Sequence, residues 1–430
     1  MKKSIVFLVM VGLLLFTTAI ALADSPLVVW QFFGVGSATQ TIKTAYTEAD
    51  TFYAIIRAAE QTYGASVDVV PVNWGNYYTI LNQALASHKA GDIDIMHVEY
   101  LMPYVKAGLV ANISNLEKIT GIYLDKIIQP DKLPRVTYNG NIYAVRWDKH
   151  GILWLINKQQ WAKAGLLDQN GNPIIPTTPQ EFINEAEKYK AATGQPFIEE
   201  NDGGDMTGWL FYPWFIQNGA PFLSDNGWKA GFNTPAGLAV FSFMVKMQKE
   251  GLVNFLVPNA MTQATDFING KTASTFDGTW NVNQYAHEMG TDLYVTIVPQ
   301  LWHVSSTPVS WANGHCFVIP AYLPLQRQIE AYKFLVDMLK YNVYWGNTGH
   351  IPLVQLTPEQ VNYILNLNNG DRHYYYEFLQ SGDILNQPFA GDPYSVIAPS
   401  LQAALAGTIT PEVGLQQAAD ALNKFISAQQ

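Results

Sequence analysis

Tryptophans close to carboxylates recur along this chain, and both side-chain types can hold a polar, ring-shaped ligand. Trp280 follows Asp277 by three residues in the run 276–281, FDGTWN. An aromatic face stacks on the C–H face of a sugar, and its rigidity keeps the entropy cost of binding low. Trp280 is therefore the first candidate for a stacking residue, and the next are Trp209, Trp214, Trp30 and Trp311. The alternative is that these rings serve only as core packing.

Three carboxylates lie near aromatic residues at predicted strand ends or loops: Glu99, Asp148 and Asp277. An ionised carboxylate accepts strong, charge-assisted hydrogen bonds from hydroxyl groups. Two of them flanking a glycosidic bond would instead make a glycosidase, and the sequence does not give their separation. Each could equally be a helix cap or a salt-bridge partner. These acids therefore point to a hydroxyl-bearing ligand, with hydrolysis as the rival chemistry.

The stretch 138–161 indicates how these groups are brought together. Asn139-Gly140 lies between two β-branched or aromatic runs, which is a strong hairpin signal, and a further strand is expected at 151–156. The polar cluster 146–150 between them is costly to bury unpaired. We predict that it crosses between two lobes and lines the groove between them; the alternative is a solvated turn with ordinary salt bridges. Three members of the cluster are candidate ligand-binding residues: Arg146, Asp148 and His150.

Catalytic and cofactor motifs are absent from the sequence. It contains no P-loop, no G-x-S-x-G, no H-E-x-x-H and no G-x-G-x-x-G that opens a helix. The run 201–205, NDGGD, resembles part of a Ca²⁺ loop but lacks the closing Glu of an EF-hand, so an acidic turn is the alternative. No metal-ligand spacing connects four of the histidines: His97, His150, His287 and His315. The sequence therefore predicts no catalytic residue, no cofactor and no bound metal.

Composition excludes several classes of partner. The chain has 430 residues, a formal net charge of −10, and 13% aromatic residues that include 12 Trp. An acidic surface does not favour nucleic acid or anionic membranes. The length indicates two or three domains rather than one core. Cys316 is the only cysteine, so no internal disulfide can form, and a buried, inert thiol is expected there.

The first 23 residues have the pattern of a secretory signal. Lys2 and Lys3 precede an apolar run at 5–16, and Ala21-Leu22-Ala23 forms an A-x-A cleavage site. The apolar run is shorter than the roughly 20 residues that a membrane-spanning helix needs. We expect cleavage after Ala23 and export to the periplasm, with an uncleaved membrane anchor as the alternative.

The elements that would position the candidates begin with a predicted parallel sheet. Strands and helices alternate: strands at 27–33, 66–72 and 93–98, with helices at 47–63 and 76–89. Ligands of such sheets bind beyond the carboxyl ends of the strands, here at 30–33, 73–74 and 97–100. Gln31 and Phe33 are candidates at the first of these ends, and Glu99 at the third.

The second half of the chain has well-marked helix starts. Thr-Pro pairs at 178, 234, 357 and 410 predict capped helices. The block 203–223 is dense in aromatic residues. Two segments, 295–299 and 316–320, are predicted to be strands that return to the first sheet.

Several blocks, in order, resemble those of the bacterial extracellular solute-binding proteins of the sugar-binding family 1 type, which serve ABC importers. The blocks that carry the resemblance are DIMHVEYLMPYVKAGLVANIS at 94–114, the crossing strands at 139–158, the helix entry at 162–189, FINGKTASTFDGTW at 267–280, Gly349 to Pro352, and the closing helices at 401–425.

The resemblance implies an α/β, two-lobed periplasmic-binding-protein fold of type II, in which each lobe is a mixed sheet flanked by helices and the ligand lies in the cleft between them. We expect one lobe from 24–148 plus 312–355 and the other from 149–311 plus 356–430. The implied protein is a monomeric binding protein, not an enzyme, which delivers a neutral sugar or polyol to an ABC permease by hinge closure.

Site residues also follow from the resemblance. Trp280 falls on the family's sugar-stacking position, Glu99 on an acid that binds hydroxyl groups, and Trp209 near a stacking aromatic. The re-entrant loop adds Trp311, Asn313 and Gly314. Arg146 and His150 depart from the family pattern, which argues against maltose-like specificity. Two rival functions stay open: an exported glycosidase, and a binding protein for a phosphorylated polyol. Five cationic or imidazole side chains would favour phosphate if they clustered in the cleft: Arg146, Lys149, His150, Arg372 and His373.

Overall fold

The computed structural model describes residues 25–305, 307–367, 372–385, 387–389 and 391–429. The predicted signal, 1–23, lies outside the described residues. The strands, in chain order, are β1 Leu27–Gln31, β2 Val67–Pro71, β3 Ile93–His97, β4 Thr137–Tyr138, β5 Asn141–Ile142, β6 Val145–Arg146, β7 Asp148–Asn157, β8 Ile198–Asn201, β9 Leu223–Ser224, β10 Lys229–Ala230, β11 Val253–Val257, β12 Ser274–Gly278, β13 Leu293–Ile297, β14 Ser310–Asn313, β15 His315–Val318, β16 Ile351–Pro352 and β17 Gly382–Ile384.

The α-helices, in chain order, are α1 Glu48–Tyr63, α2 Tyr77–Ala86, α3 Leu101–Lys106, α4 Ile113–Thr120, α5 Lys158–Lys163, α6 Pro179–Thr193, α7 Gly204–Gln217, α8 Pro235–Lys249, α9 Ala260–Ile268, α10 Val282–Met289, α11 Leu325–Leu339, α12 Pro358–Leu365, α13 Tyr374–Ser381, α14 Pro393–Leu405 and α15 Pro411–Ser427. Short 3-10 turns include Trp74–Asn76, Val98–Tyr100, Thr279–Asn281 and Asn342–Thr348. Within the described residues, none of the helices combines the length and the apolar character needed to span a bilayer.

The first sheet has the strand order β2-β1-β3-β15-β6. β1 pairs in parallel with both β2 and β3, which confirms the predicted β-α-β-α-β unit. β15 pairs antiparallel with β3 and β6, so the segment predicted at 316–320 does return to this sheet. Since β1 and β3 are parallel, the residues that follow them lie at the same edge of the sheet.

The second sheet is organised around β7, all ten residues of which are buried. Its main path is β11-β8-β12-β7-β14-β17, and β13 and β16 also pair with β7. The prediction that 295–299 returns to the first sheet is wrong, because β13 pairs antiparallel with residues 153–157 of β7. Alternating apolar residues show that a strand forms, but they do not identify its partner.

Turns and helix starts were predicted correctly from short sequence patterns, because each depends on a single local contact. Asn139 and Gly140 have φ of 48° and 74° and join β4 to β5, which confirms the hairpin. Thr47 accepts a hydrogen bond from Asp50 N, and α1 ends at Gly64 with φ 79°, a conformation that Gly adopts without strain. All four Thr-Pro pairs begin helices in which the Thr side chain caps a backbone N–H: Thr178, Thr234, Thr357 and Thr410.

Hydrophobic clusters follow the two sheets. One surrounds the first sheet and includes Trp147 and Phe317. The other two lie on opposite faces of β7, where Trp154 belongs to one cluster and Leu155 to the other. Each sheet thus has its own core, as a two-lobed α/β chain requires. The exact lobe boundaries, at 148, 311 and 355, are not tested by these clusters and stay predictions.

Candidate ligand-binding site

A cavity of about 370 Å³ lies between the two sheets, close to the points where β6 leads into β7 and β14 into β15. This volume falls at the lower end of the range for small-molecule sites, about 300–1,000 Å³. Both halves of the chain contribute lining residues: Phe32, Glu48, Trp74, His97, Glu99, Tyr100, His150, Asn201, Asp205, Met206, Trp209, Ala260, Asp277, Trp280, Asn281, Trp311, Asn313, His315 and Asp392.

Three tryptophans on the side of the second sheet, Trp209, Trp280 and Trp311, form what we call the aromatic wall. Trp209 is on α7, Trp280 in the turn after β12, and Trp311 on β14. Trp209 stacks on Trp311 with ring centroids 4.3 Å apart and an interplanar angle of 22°. Trp280 meets Trp209 edge-on at 5.9 Å. The rings therefore support one another and need little ordering when a ligand arrives.

The wall includes a donor that the protein leaves unused. The indole nitrogen Nε1 of Trp209 is buried and has no hydrogen-bond partner among the described residues. Across the cavity, Glu99 Oε2 is likewise buried without a partner in the described part of the chain. Buried polar atoms normally have partners, and an orphan costs about 1–3 kcal/mol. A donor and an acceptor that line the same cavity are thus available to a polar ligand.

Glu99 is held in an environment that favours its neutral form. Burial, together with the nearby charges of Asp392 and Asp205, raises the pKa of Glu99 to about 8 against the opposing effect of a hydrogen bond from Asn313. Burial also raises the pKa of Asp205 to about 6. At neutral pH the Glu99 carboxyl is therefore largely protonated in the ligand-free protein, and it can both donate and accept hydrogen bonds.

Asp277 positions the turn that carries Trp280. Its Oδ1 accepts from Gly278 N at 2.6 Å and from the Asn281 amide at 3.0 Å. Its Oδ2 accepts from the Tyr285 hydroxyl at 2.7 Å. Burial raises the pKa of Asp277, and these hydrogen bonds oppose the shift. The carboxylate therefore joins the end of β12 to α10 and fixes the backbone on either side of Trp280.

A buried polar group lies at the base of the cavity, and we call it the polar floor: Asp148, His150, His315 and His350. Asp148 Oδ1 accepts from His315 N at 2.8 Å and lies 3.1 Å from His150 Nδ1. Asp148 Oδ2 lies 2.7 Å from His315 Nδ1 and accepts from Trp345 Nε1 at 2.6 Å. Each floor residue offers one atom that could ligate a metal, and these atoms lie within 4.8 Å of one another.

Charge in the polar floor is concentrated on Asp148. Burial alone would raise the pKa of Asp148, but the charges of His315 and His350 and hydrogen bonds from His150 and His315 hold it well below the ordinary value. Burial lowers the pKa of His150 to about 3, with His315 contributing in the same direction. An ionised carboxylate therefore orients a neutral His150 toward the cavity.

Six of the eleven residues predicted for the site line the cavity: Glu99, His150, Trp209, Trp280, Trp311 and Asn313. The structure thus brings together residues from distant parts of the chain. The other five, Gln31, Phe33, Arg146, Asp148 and Gly314, lie outside the lining. Whether any of the eleven binds ligand stays a prediction.

Residues outside the lining shape the cavity from behind. Gln31 closes the turn after β1, donating to Gly34 O at 2.7 Å and accepting from Phe33 N at 2.5 Å. Arg146 Nη2 donates to Asp148 O at 3.1 Å. A Cβ on Gly314 would lie only 2.4 Å from Asp148 O, so only Gly fits there. Phe33 packs against Trp345, with ring centroids 4.9 Å apart.

Some residues that line the cavity were not predicted from the sequence. Phe32, Trp74 and His97 all lie at the predicted strand ends, so the strand-end rule contained the signal for them. Asp205 and Asp392 begin helices α7 and α14, and no pattern within the sequence connects them to Glu99. Their approach to Glu99 depends on how the second half of the chain packs against the first.

Comparisons with known proteins support the same reading of the fold. The family model described as bacterial extracellular solute-binding protein matches residues 54–340, well over half of the chain. No curated protein matches the sequence significantly.

Solved structures are similar over nearly the whole chain. A cyclic α-maltosyl-1,6-maltose binding protein from Arthrobacter globiformis is 20% identical, with a TM-score of 0.75 over 94% of this chain and 100% of that one. UgpB from Mycobacterium tuberculosis, solved with glycerophosphocholine, is 18% identical, with a TM-score of 0.76 over 94% and 99%. A solute-binding protein from Thermotoga lettingae, bound to α-D-tagatose, is 22% identical, with a TM-score of 0.73 over 94% and 100%. These matches confirm the two-lobed α/β fold.

Proposed function

Because the chain belongs to the bacterial extracellular solute-binding protein family, we propose that it captures a neutral sugar or polyol in the cavity between its two sheets and delivers it to an ABC import permease. One similar structure is that of a protein named for binding a cyclic maltosyl-maltose and another holds α-D-tagatose, and both support the choice of ligand class. We further propose that the protein acts as a monomer in the periplasm after removal of residues 1–23, and that it does not transform its ligand.

One observation carries this proposal: the cavity combines an aromatic wall with unpaired polar atoms on both sides. Trp209 offers a buried N–H donor and Glu99 a buried oxygen, and neither has a partner among the described residues. A sugar ring presents C–H faces for stacking and hydroxyl groups for hydrogen bonds. Such a ligand would use both features at once, and the cavity volume favours a small ligand over a long oligosaccharide.

Ligand contacts to both halves of the chain provide the mechanism. Glu99 follows β3 of the first sheet, whereas Trp280 follows β12 of the second. A ligand that touches both is bound more tightly when the halves are closed, and so it shifts the population toward the closed form. The permease would then recognise the closed surface.

Phosphorylated polyols fit the cavity less well. The lining residues, all of them in the described part of the chain, include neither Arg nor Lys. Arg146 lies behind the lining, and the Arg372 guanidinium donates to Asn283 and to the Tyr374 hydroxyl. Phosphate sites usually provide Arg forks or helix N-termini.

A ligand that carries an amine or quaternary ammonium group is the second candidate. Besides the largely protonated Glu99, four carboxylates line the cavity, without an Arg or Lys among the lining residues to offset them: Glu48, Asp205, Asp277 and Asp392. Aromatic faces also attract such cations. The similar structure solved with glycerophosphocholine, which contains a quaternary ammonium group, is consistent with this alternative.

A thermal-shift screen distinguishes these ligand classes. Mature protein would be mixed with monosaccharides, disaccharides and polyols, with glycerol phosphate, and with choline and simple amines. A ligand that binds only the folded state raises Tm, by an amount equivalent to about 2.7 kcal/mol at 100 times Kd. We expect neutral sugars or polyols to raise Tm, with calorimetry giving one site per chain.

Three outcomes would contradict the proposal. A shift with cationic compounds alone would support the second candidate. A rise in Tm with phosphorylated compounds alone would show that the ligand is a phosphorylated polyol, although no Arg or Lys lines the cavity. Release of reducing sugar from any glycoside by purified protein would show an enzyme instead.

A further inference from the structure

We propose that the polar floor is a binding site for one divalent transition-metal ion, with Zn²⁺ as the best match. The site combines one carboxylate with three imidazoles, and all four residues are buried. Three nitrogen ligands and one oxygen ligand suit a tetrahedral Zn²⁺ ion.

The strongest indication is the convergence of four ligand atoms within 4.8 Å of one another, and the hydrogen bonds of His350 show which of its ring nitrogens faces the other three. Thr348 Oγ1 lies 2.7 Å from Trp345 O and 2.7 Å from His350 Nδ1. A carbonyl oxygen can only accept, so the single hydroxyl proton of Thr348 goes to Trp345 O. Both hydrogen bonds are satisfied only if His350 Nδ1–H donates to Thr348 Oγ1. In the neutral ring, Nε2 then carries a lone pair and no proton.

That lone pair lies among carboxylate oxygens. His350 Nε2 is 3.2 Å from Glu48 Oε1 and 3.9 Å from Asp148 Oδ2. It is fully buried and has no hydrogen-bond partner among the described residues. A bare nitrogen beside two anionic oxygens is repulsive, so one of two cations relieves the contact: a proton that makes His350 an imidazolium, or a metal ion ligated by Nε2. A metal ion ligated by Nε2 satisfies all three atoms.

The remaining floor residues already present the right atoms. His150 and His315 both direct Nδ1 at the Asp148 carboxylate, at 3.1 and 2.7 Å. Metal–ligand bonds of about 2.0–2.1 Å in a tetrahedron place neighbouring ligand atoms about 3.3 Å apart. The four atoms here lie within 4.8 Å of one another, so the side chains draw together when the ion binds. On binding, the two imidazoles ligate through Nδ1 and carry their proton on Nε2 instead.

Outer contacts hold the ligands in place. Trp345 Nε1 donates to Asp148 Oδ2 at 2.6 Å, and Thr348 fixes the ring of His350. Such outer partners are typical of metal sites and orient the ligands before the ion binds. Glu48, on the cavity side, is an additional oxygen that could approach the ion.

The proposed metal site lies where the two sheets meet, next to the cavity. Asp148 and His150 begin β7, His315 begins β15, and His350 precedes β16, which pairs with the start of β7. A bound ion would therefore tie together three chain segments at the junction of the two sheets. His150 and His315 also line the cavity, so the ion would fix two residues of the ligand site.

The test uses tag-free wild-type protein after exhaustive treatment with a chelator. Zn²⁺ binding is measured by calorimetry, and Co²⁺ is added as an optical probe because tetrahedral Co²⁺ absorbs strongly in the visible range. We expect one ion per chain, a tetrahedral Co²⁺ spectrum that Zn²⁺ abolishes, and a rise in Tm with Zn²⁺ but not with Mg²⁺.

Variants connect binding to the polar floor. His350→Gln and His315→Gln should each weaken Zn²⁺ binding about 100-fold or more, since even outer partners contribute 10- to 100-fold. His287→Gln is the matched control, because His287 is exposed, stacks on Tyr46 and is not one of the four floor residues. Circular dichroism verifies that each variant is folded.

Two results would overturn the proposal. The first is wild-type protein that does not bind one equivalent of Zn²⁺, which needs no variant to interpret. The second is full affinity in folded His350→Gln. If nitrogen NMR shows His350 protonated on both ring nitrogens with Zn²⁺ present, a proton rather than a metal ion occupies the position, and the proposal is wrong.

Discussion

The aromatic wall and the polar floor border the same cavity but are built in opposite ways. In the wall, each ring contacts its neighbours through apolar surface, and Trp209 keeps an unpaired N–H. In the floor, Asp148 alone accepts hydrogen bonds from several groups and is fully buried. Removing Trp280 leaves Trp209 and Trp311 stacked on one another, whereas removing the carboxylate leaves several buried donors unpaired. We therefore assign ligand contact mainly to the wall and the geometry of the junction mainly to the floor.

The largest expected effect tests the floor. Asp148→Asn removes the charge that His150 and His315 face and one of the acceptors for their N–H groups. Breaking a buried ionic network costs about 3–5 kcal/mol of unfolding free energy, and urea denaturation would measure this loss. Asp131→Asn is the control, because Asp131 is exposed and forms a surface ion pair with Lys132.

The control should change stability by no more than about 0.5 kcal/mol. If Asp148→Asn lowered the free energy of unfolding by less than about 1 kcal/mol, the floor would not be a cooperative hydrogen-bonded unit. The proposed structural difference between floor and wall would then be wrong.

The next effect tests the wall. Trp280→Ala removes a ring that lines the cavity and is only partly buried, so ligand binding should suffer more than folding. We expect the affinity for the ligand found in the screen to fall by about 2–3 kcal/mol, roughly 30- to 150-fold, as measured by calorimetry. Trp228→Ala is the control, because Trp228 packs near Phe389 and does not line the cavity. Unchanged affinity in Trp280→Ala would remove the stacking role.

Part of this contrast was visible in the sequence. The FDGTWN run places Trp280 after a strand, and the strand-end rule placed Glu99 at the same edge of its sheet as Phe32. Turns and caps such as Asn139-Gly140 and Thr178 were predictable because each depends on one local contact. Such signals need no knowledge of how distant segments pack.

The floor could not be predicted in this way. Its members belong to three separate segments, and the distance of His315 and His350 from Asp148 along the chain hides the cluster. The sequence-based expectation of no metal site rested on the absence of a spacing pattern. Spacing reveals side chains that share one helix or loop, but not side chains brought together by pairing of β16 and β14 with β7. The wrong partner for β13 has the same origin.

A third prediction concerns stability, because the contributions of Glu99 and Asp148 to the free energy of unfolding should change with pH in opposite directions. Burial raises the pKa of Glu99 from 4.5 to about 8, so the folded protein takes up a proton that the unfolded chain has lost in this range. The contribution of Glu99 to stability is therefore complete below pH 4.5 and is lost as the pH rises to about 8. The pKa of Asp148 is lowered, so its contribution is instead lost as the pH falls.

Glu99→Gln tests this directly. Gln does not titrate, so the stability of the variant relative to wild type should rise between about pH 5 and pH 8, on the order of 2 kcal/mol once relaxation and entry of water reduce the effect of burial. Urea denaturation at several pH values gives the difference. A difference that stays constant with pH would show that the Glu99 carboxyl is ionised throughout and is not the neutral group proposed here.

The smallest effect tests whether the wall depends on polar anchors of its own. Tyr285→Phe removes one hydrogen bond to Asp277 but leaves those from Gly278 and Asn281, so folding should lose about 1 kcal/mol. Because Asp277 fixes the turn that carries Trp280, ligand affinity should also fall, by about three- to fivefold, or roughly 1 kcal/mol. Tyr322→Phe is the matched control: it removes a hydrogen bond to Ala90 O in the first half of the chain, away from the cavity. It should lower stability without changing affinity. Equal affinity in the two variants would mean that contacts among the three rings suffice to position Trp280, and that the wall is independent of the carboxylate behind it.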